Sequence, residues 1–422
     1  MRRTVLLIAL LAGLTVPAQA NAAQTRWILD GAGWGHGIGM SQHGALGYAQ
    51  NGRSYRDILA HYYQGTDIGS AGGRTIRVLL GDGRGSVKFD GATRVNTKAL
   101  DPAKTYTATR SGGKVKIAGV GSFSSLARVR GNAIRWKGTS MNGVANGRWR
   151  SYLELRPSGA GGLTVVNALG LDNYVRGVIA GEMPASWHAE ALKAQAIAAR
   201  SYALTTDRGG PVFDQYPDTR SQVYRGVKGE TAATNAAVTS TAGEVVTYNG
   251  NLAVTYFFST SGGRTENIEN SFVGAAPKPW LKGVEDPYDD VSPRHRWRFV
   301  FTQAQMQSRL GGLVKGTFRG IEIVDKGVSP RVVHADIVGS GGRTRVTGPT
   351  LRARLGLYDT WFTVKKVTGT EAKRYKPTTS RKPTTDRTQS RSGSSLQSSG
   401  WVQSSPATSP GSSPAESWPW LE

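Results

Sequence analysis

Leu171-Asp172-Asn173-Tyr174-Val175-Arg176-Gly177-Val178-Ile179-Ala180-Gly181-Glu182-Met183-Pro184 decides how the rest of this chain is read. An acidic residue closes an apolar run and stands just before a proline, immediately ahead of a helical pattern. That pattern covers about 187–204, with Ser186 as the expected N-cap and Glu190 in the first turn. Ala191, Leu192, Gln195, Ala198, Ala199 and Tyr202 fall on one stripe, and the many alanines imply close packing against a neighbour. A carboxyl flanked by Ile179, Met183 and Trp187 loses part of its hydration, which raises its pKa toward the range of a general acid. The competing reading of Glu182 is a solvated glutamate that complements a helix dipole. Arg200 also has two readings: among alanines it either reaches a ligand or pairs with a structural carboxylate.

Downstream, 230–242 reads as a second helix stopped by Gly243. A hairpin follows, with β-rich runs at 244–248 and 252–258 around Asn249-Gly250-Asn251. The Gly-rich loop Ser259-Thr260-Ser261-Gly262-Gly263-Arg264-Thr265 comes next. Over 296–364 the pattern is mixed, with a helix near 302–310, strands near 320–324 and 332–338, and a further strand-like segment at 351–355. Upstream, short runs at 75–80, 86–89, 106–109, 114–118 and 163–167 predict a β-rich part over 74–168. The fold class expected is α+β, with one continuous domain rather than separable modules.

Gly33-Trp34-Gly35-His36-Gly37-Ile38-Gly39-Met40-Ser41-Gln42-His43-Gly44-Ala45 is the second unusual segment. Alternating glycines permit close backbone approach or positive φ, and a helix is expected from about Ser41 through Ala49. No Gly-Lys-Ser/Thr closes the segment, so it is not a phosphate loop. The spacing of His36, His43 and His61 matches no zinc motif, so no metal and no cofactor are expected. His36 either lines a substrate cleft or is tucked by a Gly-rich turn against a core.

The ends and the composition narrow the partners. Arg2 and Arg3 precede an apolar run over 5–16, and Ala18-Gln19-Ala20 offers a cleavage site, so 1–20 reads as a secretory signal peptide. No later stretch approaches ~20 apolar residues, so no transmembrane segment is expected. From 370 to 422 the chain is rich in Ser, Thr and Pro and reads as a disordered tail. Zero cysteines exclude disulfide scaffolds and thiol chemistry. The 53 Lys and Arg residues against 29 Asp and Glu residues give a net charge of +24, which favours a polyanionic neighbour. Export points away from nucleic acid and toward anionic cell-wall polymers.

Taken together, these segments resemble the SpoIID/LytB family. The similarity is carried by Leu171 to Tyr174, Val178 to Pro184, Glu190 to Ala203, Gln222-Val223-Tyr224-Arg225-Gly226, Phe258 to Thr265 and Trp280-Leu281-Lys282-Gly283-Val284. Arg352 to Phe362 resembles the family's closing strand region, and Gly33 to Ala45 resembles its Gly-His-Gly-x-Gly-Met-Ser-Gln motif. In the family that motif follows the Leu-Gly-Leu segment near the C-terminus, whereas here it opens the mature chain, as if circularly permuted. An alanine often precedes the family's glutamate, so Gly181 is read as a conservative swap. On this resemblance, 21–73 is a permuted part of the main domain and 169–369 is the SpoIID-like region.

Sporulation-type members are lytic transglycosylases acting on denuded peptidoglycan glycan strands. The resemblance therefore implies Glu182 as general acid and base, with His36, Gln195, Arg200, Ser259 and Ser261 binding substrate. The LytB branch implies the alternative, a wall-binding enhancer of an N-acetylmuramoyl-L-alanine amidase. Either way the resemblance implies an exported protein of the cell wall, with glycan strands, anionic wall polymers and an amidase as the partners to weigh.

Overall fold

Residue-by-residue alternation builds the largest sheet. In Ala127–Lys137, Ala127, Val129 and Gly131 point inward while Arg128 and Arg130 face solvent. A bulge between Gly131 and Ile134 then restores the alternation, so that Ile134 and Trp136 are inward again. The computed structural model describes residues 24–378. Its principal sheet runs in the order Gly121–Phe123, Lys114–Ile117, Tyr106–Ser111, Ser86–Asp90, Ala127–Lys137, Arg148–Pro157, Leu163–Gly170 and Thr75–Arg84, with two short strands attached. All five runs expected between 75 and 167 are strands of this sheet. Its long central pair, Ala127–Lys137 and Arg148–Pro157, was not anticipated, because bulges and interspersed arginines interrupt the apolar pattern.

The edge of the sheet at Leu163–Gly170 and Thr75–Arg84 packs against helix α3 (Leu171–Glu182), which packs in turn on α4 (Ala189–Thr205) and α5 (Ala232–Ser240); α1 (Gln42–Gln50) and α2 (Tyr55–Tyr62) pack on α4, and together they form one continuous core. Sequence periodicity left 171–182 unassigned, because its two glycines weaken the helical pattern. The structure makes it a helix. The cap of α4 is His188, whose Nδ1 accepts from the Glu190 N–H at 3.3 Å, and not Ser186. Alanine on every side of α4 lets α1, α2, α3 and α5 all approach it.

The expected hairpin forms only in its first arm. Glu244–Tyr248 pairs with Asn251–Leu252 across Asn249 and Gly250, both at positive φ as a two-residue primed turn requires. The chain then leaves, and Phe257–Phe258 pairs in parallel with Met40–Ser41 instead. A second, smaller core lies under Phe318–Lys326, Val332–Gly339 and Gly342–Thr347, joined by Gln303–Leu310 and Gly348–Leu355. The strand expected at 351–355 is therefore a helix, started by the Thr347 cap and Pro349. The closing strand is Phe362–Val367, only partly overlapping the expected 352–362.

Arg26–Ala32 lies between Arg296–Thr302 and Phe362–Val367, so the start and end of the described chain share one sheet. Gly35 N–H donates to the Tyr358 carbonyl at 3.1 Å, which sets the Gly-His-Gly segment directly beside Leu355-Gly356-Leu357. In space the motif lies beside that segment. The signal-peptide reading and most of the tail lie outside the described residues. Of the tail expected from 370, residues 370–378 are packed: Ala372 is buried beside Val300 and Val367, and the Thr378 N–H donates to the Val300 carbonyl at 2.8 Å.

Arg200 serves the fold. It is fully buried, and its guanidinium donates to Asp172 Oδ1 at 2.6 Å, Thr241 Oγ1 at 3.1 Å and the Val238 carbonyl at 2.8 Å, tying α3, α4 and α5 together. Replacing Arg200 with Met should lower unfolding free energy by about 3 kcal/mol, since the carbonyl and hydroxyl lose their donor. Urea unfolding measures this, and an unchanged midpoint would return Arg200 to the candidate binding residues.

Candidate functional site

Glu182 ends α3, and the approach of residues 222–226 to that helix sets its surroundings. A Cβ at Gly177 would lie 2.4 Å from the Tyr224 ring, and one at Gly181 would lie 2.7 Å from the Val223 carbonyl. The two glycines let the loop close on the helix, so Gly181 is required by this packing and is not a conservative swap. From that position Val223 N–H donates to Glu182 Oε1 at 2.8 Å. Glu182 is only 4% exposed, and burial pushes its carboxyl up to about 7, against the pull of the Val223 N–H and the Arg225 charge. At neutral pH the group is divided between acid and base forms.

Two amides complete this corner. Gln42 Nε2 donates to the Glu182 backbone carbonyl at 3.1 Å and to Gln195 Oε1 at 3.3 Å. Gln195 is fully buried, and its Nε2 has no hydrogen-bond partner among the described residues. The Gly-His-Gly segment therefore reaches Glu182 through Gln42. Sequence reading singled out His36 because histidine is the more reactive type; the motif's closing Gln gave no such signal.

His43, the next residue, also belongs to this region. Its Nδ1 lies 2.9 Å from the Ser259 carbonyl, which can only accept, so Nδ1 carries the proton and Nε2 is left as an acceptor. The ring packs edge-on against Trp187 at 4.8 Å, and burial lowers its pKa, which keeps it neutral.

His36 is elsewhere. It packs among Tyr256, Phe258 and Phe272, its Nδ1 accepts from the Ile38 N–H at 3.0 Å, and burial lowers its pKa to about 3. Among the described residues no hydrogen bond or ion pair joins it to Glu182. The hydroxyls of Ser259 and Ser261 are likewise buried in their own loop: Ser259 Oγ lies 3.2 Å from Thr260 Oγ1, and Ser261 Oγ accepts from the Gly263 N–H at 3.0 Å. Of the six expected site residues, the structure links the Glu182 backbone to Gln195 through Gln42, sets the Ser259 carbonyl against His43, and gives His36, Arg200 and Ser261 hydrogen bonds within the fold.

A buried aspartate pair holds the loop and the N-terminal segment in register. Asp289 accepts from Ser41 Oγ, the N–H groups of Ser261 and Gly262, each at 2.8 Å, and His295 Nδ1 at 3.0 Å. Burial, reinforced by the Asp289 charge, pushes the neighbouring Asp286 up to about 7. Among the described residues no three His, Asp or Glu side chains converge as metal ligands. A groove of about 560 Å³ opens beside Gly262, Arg264, Arg296, Lys326 and Trp361, but Glu182 does not line it. Concavity alone thus misses the buried titrating carboxyl, which is the better marker of chemistry.

Residues 159–248 match the sequence profile of the SpoIID family, described as "Stage II sporulation protein". That span contains Glu182, Gln195 and the 222–226 loop. The chain carries a SpoIID/LytB-family domain. It is 35% identical over 221 residues to Stage II sporulation protein D of Bacillus subtilis, covering 48% of this chain and 62% of that protein. The corresponding protein of Bacillus amyloliquefaciens is 33% identical over 225 residues, 49% of this chain and 63% of its own length. An amidase enhancer of Bacillus subtilis is 38% identical over 142 residues, 33% of this chain but 19% of that protein. The chain thus spans somewhat less than two thirds of the sporulation proteins it matches.

Two outcomes test this account of the SpoIID/LytB domain. A folded-state pKa near 7 against an ordinary carboxyl value of 4.5 means that the native state binds this proton more tightly than the unfolded chain. The stability it contributes is complete below pH 4.5 and is lost as pH rises through 7. Replacing Glu182 with Gln removes that dependence, so the variant should exceed the parent by about 2–3 kcal/mol at pH 8 and equal it near pH 4. Parallel stability–pH curves from chemical unfolding would contradict the burial argument. Separately, a Cβ at Gly37 (φ +83°) would lie 2.5 Å from Arg331 Nε, so Gly37→Ala should cost at least about 2 kcal/mol, seen as a lowered melting temperature.

Proposed function

We propose that this chain acts on the bacterial cell wall as an exported lytic transglycosylase, cleaving MurNAc–GlcNAc bonds of denuded glycan strands with Glu182 as the single acid and base. The observation that carries the reading is a buried carboxyl whose pKa burial raises to about 7, inside the stretch that matches the SpoIID family and at the position the resemblance implies for its glutamate. As an acid, Glu182 gives its proton to the glycosidic oxygen as the C1–O bond breaks, and the leaving GlcNAc keeps the bonding pair. As a base, the carboxylate then takes the proton of the MurNAc C6 hydroxyl while that oxygen bonds to C1. The product is a 1,6-anhydro ring, no water is consumed, and the glutamic acid is regenerated. One carboxyl suffices, because the nucleophile is the sugar's own hydroxyl and not an activated water.

The Gln42–Gln195 amide pair, bonded to the Glu182 backbone carbonyl, and His43 beside Trp187 supply neutral donors, an acceptor and an aromatic face, a suitable set for a sugar. The likeness to an amidase enhancer supports the second reading, a wall-binding activator of an amidase, and the small exposure of Glu182 favours it as well.

The deciding experiment incubates the purified chain with denuded glycan strands and weighs the ends by mass spectrometry. The transglycosylase reading expects ends lighter than hydrolysis products by one water. It also expects Glu182→Gln to slow their appearance by about two to four orders of magnitude. Parental turnover in that variant rejects Glu182, and no cleavage with restored amidase stimulation selects the enhancer.

A further inference from the structure

The outward face of the principal sheet carries charge that the Glu182 reading does not use. Residues 75–170 hold 16 Lys and Arg against 4 Asp and Glu, a net charge of +12, half of the whole chain's +24. The register sets like charges directly opposite each other three times: Lys88 with Lys137, Arg94 with Arg130, and Arg135 with Arg148. Adjacent strands lie about 4.8 Å apart, and like charges facing each other across that gap destabilise a sheet. Among the described residues, Lys88, Arg94, Arg130 and Arg148 are exposed and form no salt bridge to an acid.

The few acids on this face are already shared. Asp90 takes Arg135 at 2.5 Å and Lys137 at 3.9 Å, and Glu154 lies within reach of Arg77, Arg128 and Arg156. A chain selected for stability alone would interleave acids along these rows. Three opposed cation pairs instead leave a positive field, only partly offset by Asp90 at Arg135 and Lys137, that an anion bridging neighbouring strands would relieve.

We infer that this face binds a linear polyanion of repeating phosphodiesters, of the kind linked to wall glycan as a polyol-phosphate chain. Arginine forks and cations opposed on adjacent strands suit a phosphate group, which presents two free oxygens to donors on neighbouring strands. Single-stranded nucleic acid shares that chemistry but adds bases, which stack on exposed aromatic platforms. The aromatic ring of these cation rows, Tyr152, is flanked by Arg128 at 5.1 Å and Arg130 at 6.0 Å, and so is taken up by cations. The site is independent of Glu182 chemistry; it would hold the domain on its polymer whatever the domain does there.

The test measures dissociation constants of the full chain for purified poly(glycerol phosphate) at about 0.1 M salt, by fluorescence anisotropy. The triple variant Lys88→Thr, Arg94→Thr, Arg148→Thr should bind about tenfold more weakly. Its melting temperature should not fall, because each change removes an opposed like charge and adds a β-branched residue. A control with equal charge loss, Lys315→Thr, Arg319→Thr, Arg354→Thr on the smaller core's elements, should stay within about twofold of the parent. Arg94→Thr alone gives a milder second reading, expected at two- to threefold. Glu182→Gln should bind like the parent, which separates this site from the catalytic proposal. Equal losses in both triple variants, or none in either, would reduce the effect to net charge and overturn the site. Tighter binding of oligothymidylate or polygalacturonate than of the polyol phosphate would overturn the ligand assignment.

Discussion

The buried Arg331–Asp359 pair is the constraint on which the arrangement around the Gly-rich segments depends. Arg331 Nε donates to Asp359 Oδ1 at 2.9 Å, and Nη2 to Oδ2 at 3.1 Å. The remaining donors go to the carbonyls of Ser261 and Arg264 and to Ser329 Oγ. Both side chains are essentially inaccessible, so the cost of removing two charges from water is offset only because all five guanidinium N–H groups find acceptors. The pair thereby ties the loop after Phe258 to the strand Val332–Gly339 and to the segment ahead of the closing strand. Gly33 and Gly37 pass within contact of Asp359 and Arg331, where no side chain fits and φ is positive at both. The N-terminal motif is glycine-rich because it runs over this ion pair, not because it forms a flexible lid.

With the motif fixed there, its downstream residues reach the end of α3, where Gln42 bonds the Glu182 backbone carbonyl. Asp289 caps the turn through Ser41, α1 begins, and Gln42 and His43 are delivered to Glu182 and Trp187. Desolvation is the common physical cause of the shifted groups along this path. It raises Glu182 and Asp286 toward 7 and lowers both His36 and His43. The two carboxyls differ in their partners: Glu182 Oε1 accepts from the Val223 N–H, whereas neither Asp286 oxygen has a hydrogen-bond partner among the described residues.

Much of this was legible along the chain. Period-two runs between turn residues marked five strands of the main sheet, Asn249-Gly250 marked its turn, and the alanine-rich stripe marked α4. Glu182 could be singled out because its neighbours in sequence, Ile179, Met183 and Trp187, are apolar, and local burial follows from local composition. What failed were inferences that needed a partner in space. Arg200 among alanines has the same local pattern whether it meets a ligand or Asp172, Thr241 and Val238, and only packing distinguishes them. Helix α3 was hidden because Gly177 and Gly181 lower its helical signal for the sake of a loop some 45 residues away. The bulged strands 127–137 and 148–157 were hidden because their arginines face outward between inward apolar residues.

Sequence alone determined the class of this protein: an α+β chain, strongly basic, without thiol chemistry, bearing the SpoIID/LytB motifs around one glutamate. Those properties rest on composition and on local spacing, which do not depend on how distant segments meet. The tertiary structure decided what each motif residue touches. It sets His36 among Tyr256, Phe258 and Phe272 and brings Gln42 to the Glu182 backbone and His43 to Trp187, because the ion pair beneath the glycines fixes the path of the segment. It also lined up cations from strands tens of residues apart into opposed rows, since strand register, unlike charge count, is set by the bulges and turns of the folded sheet.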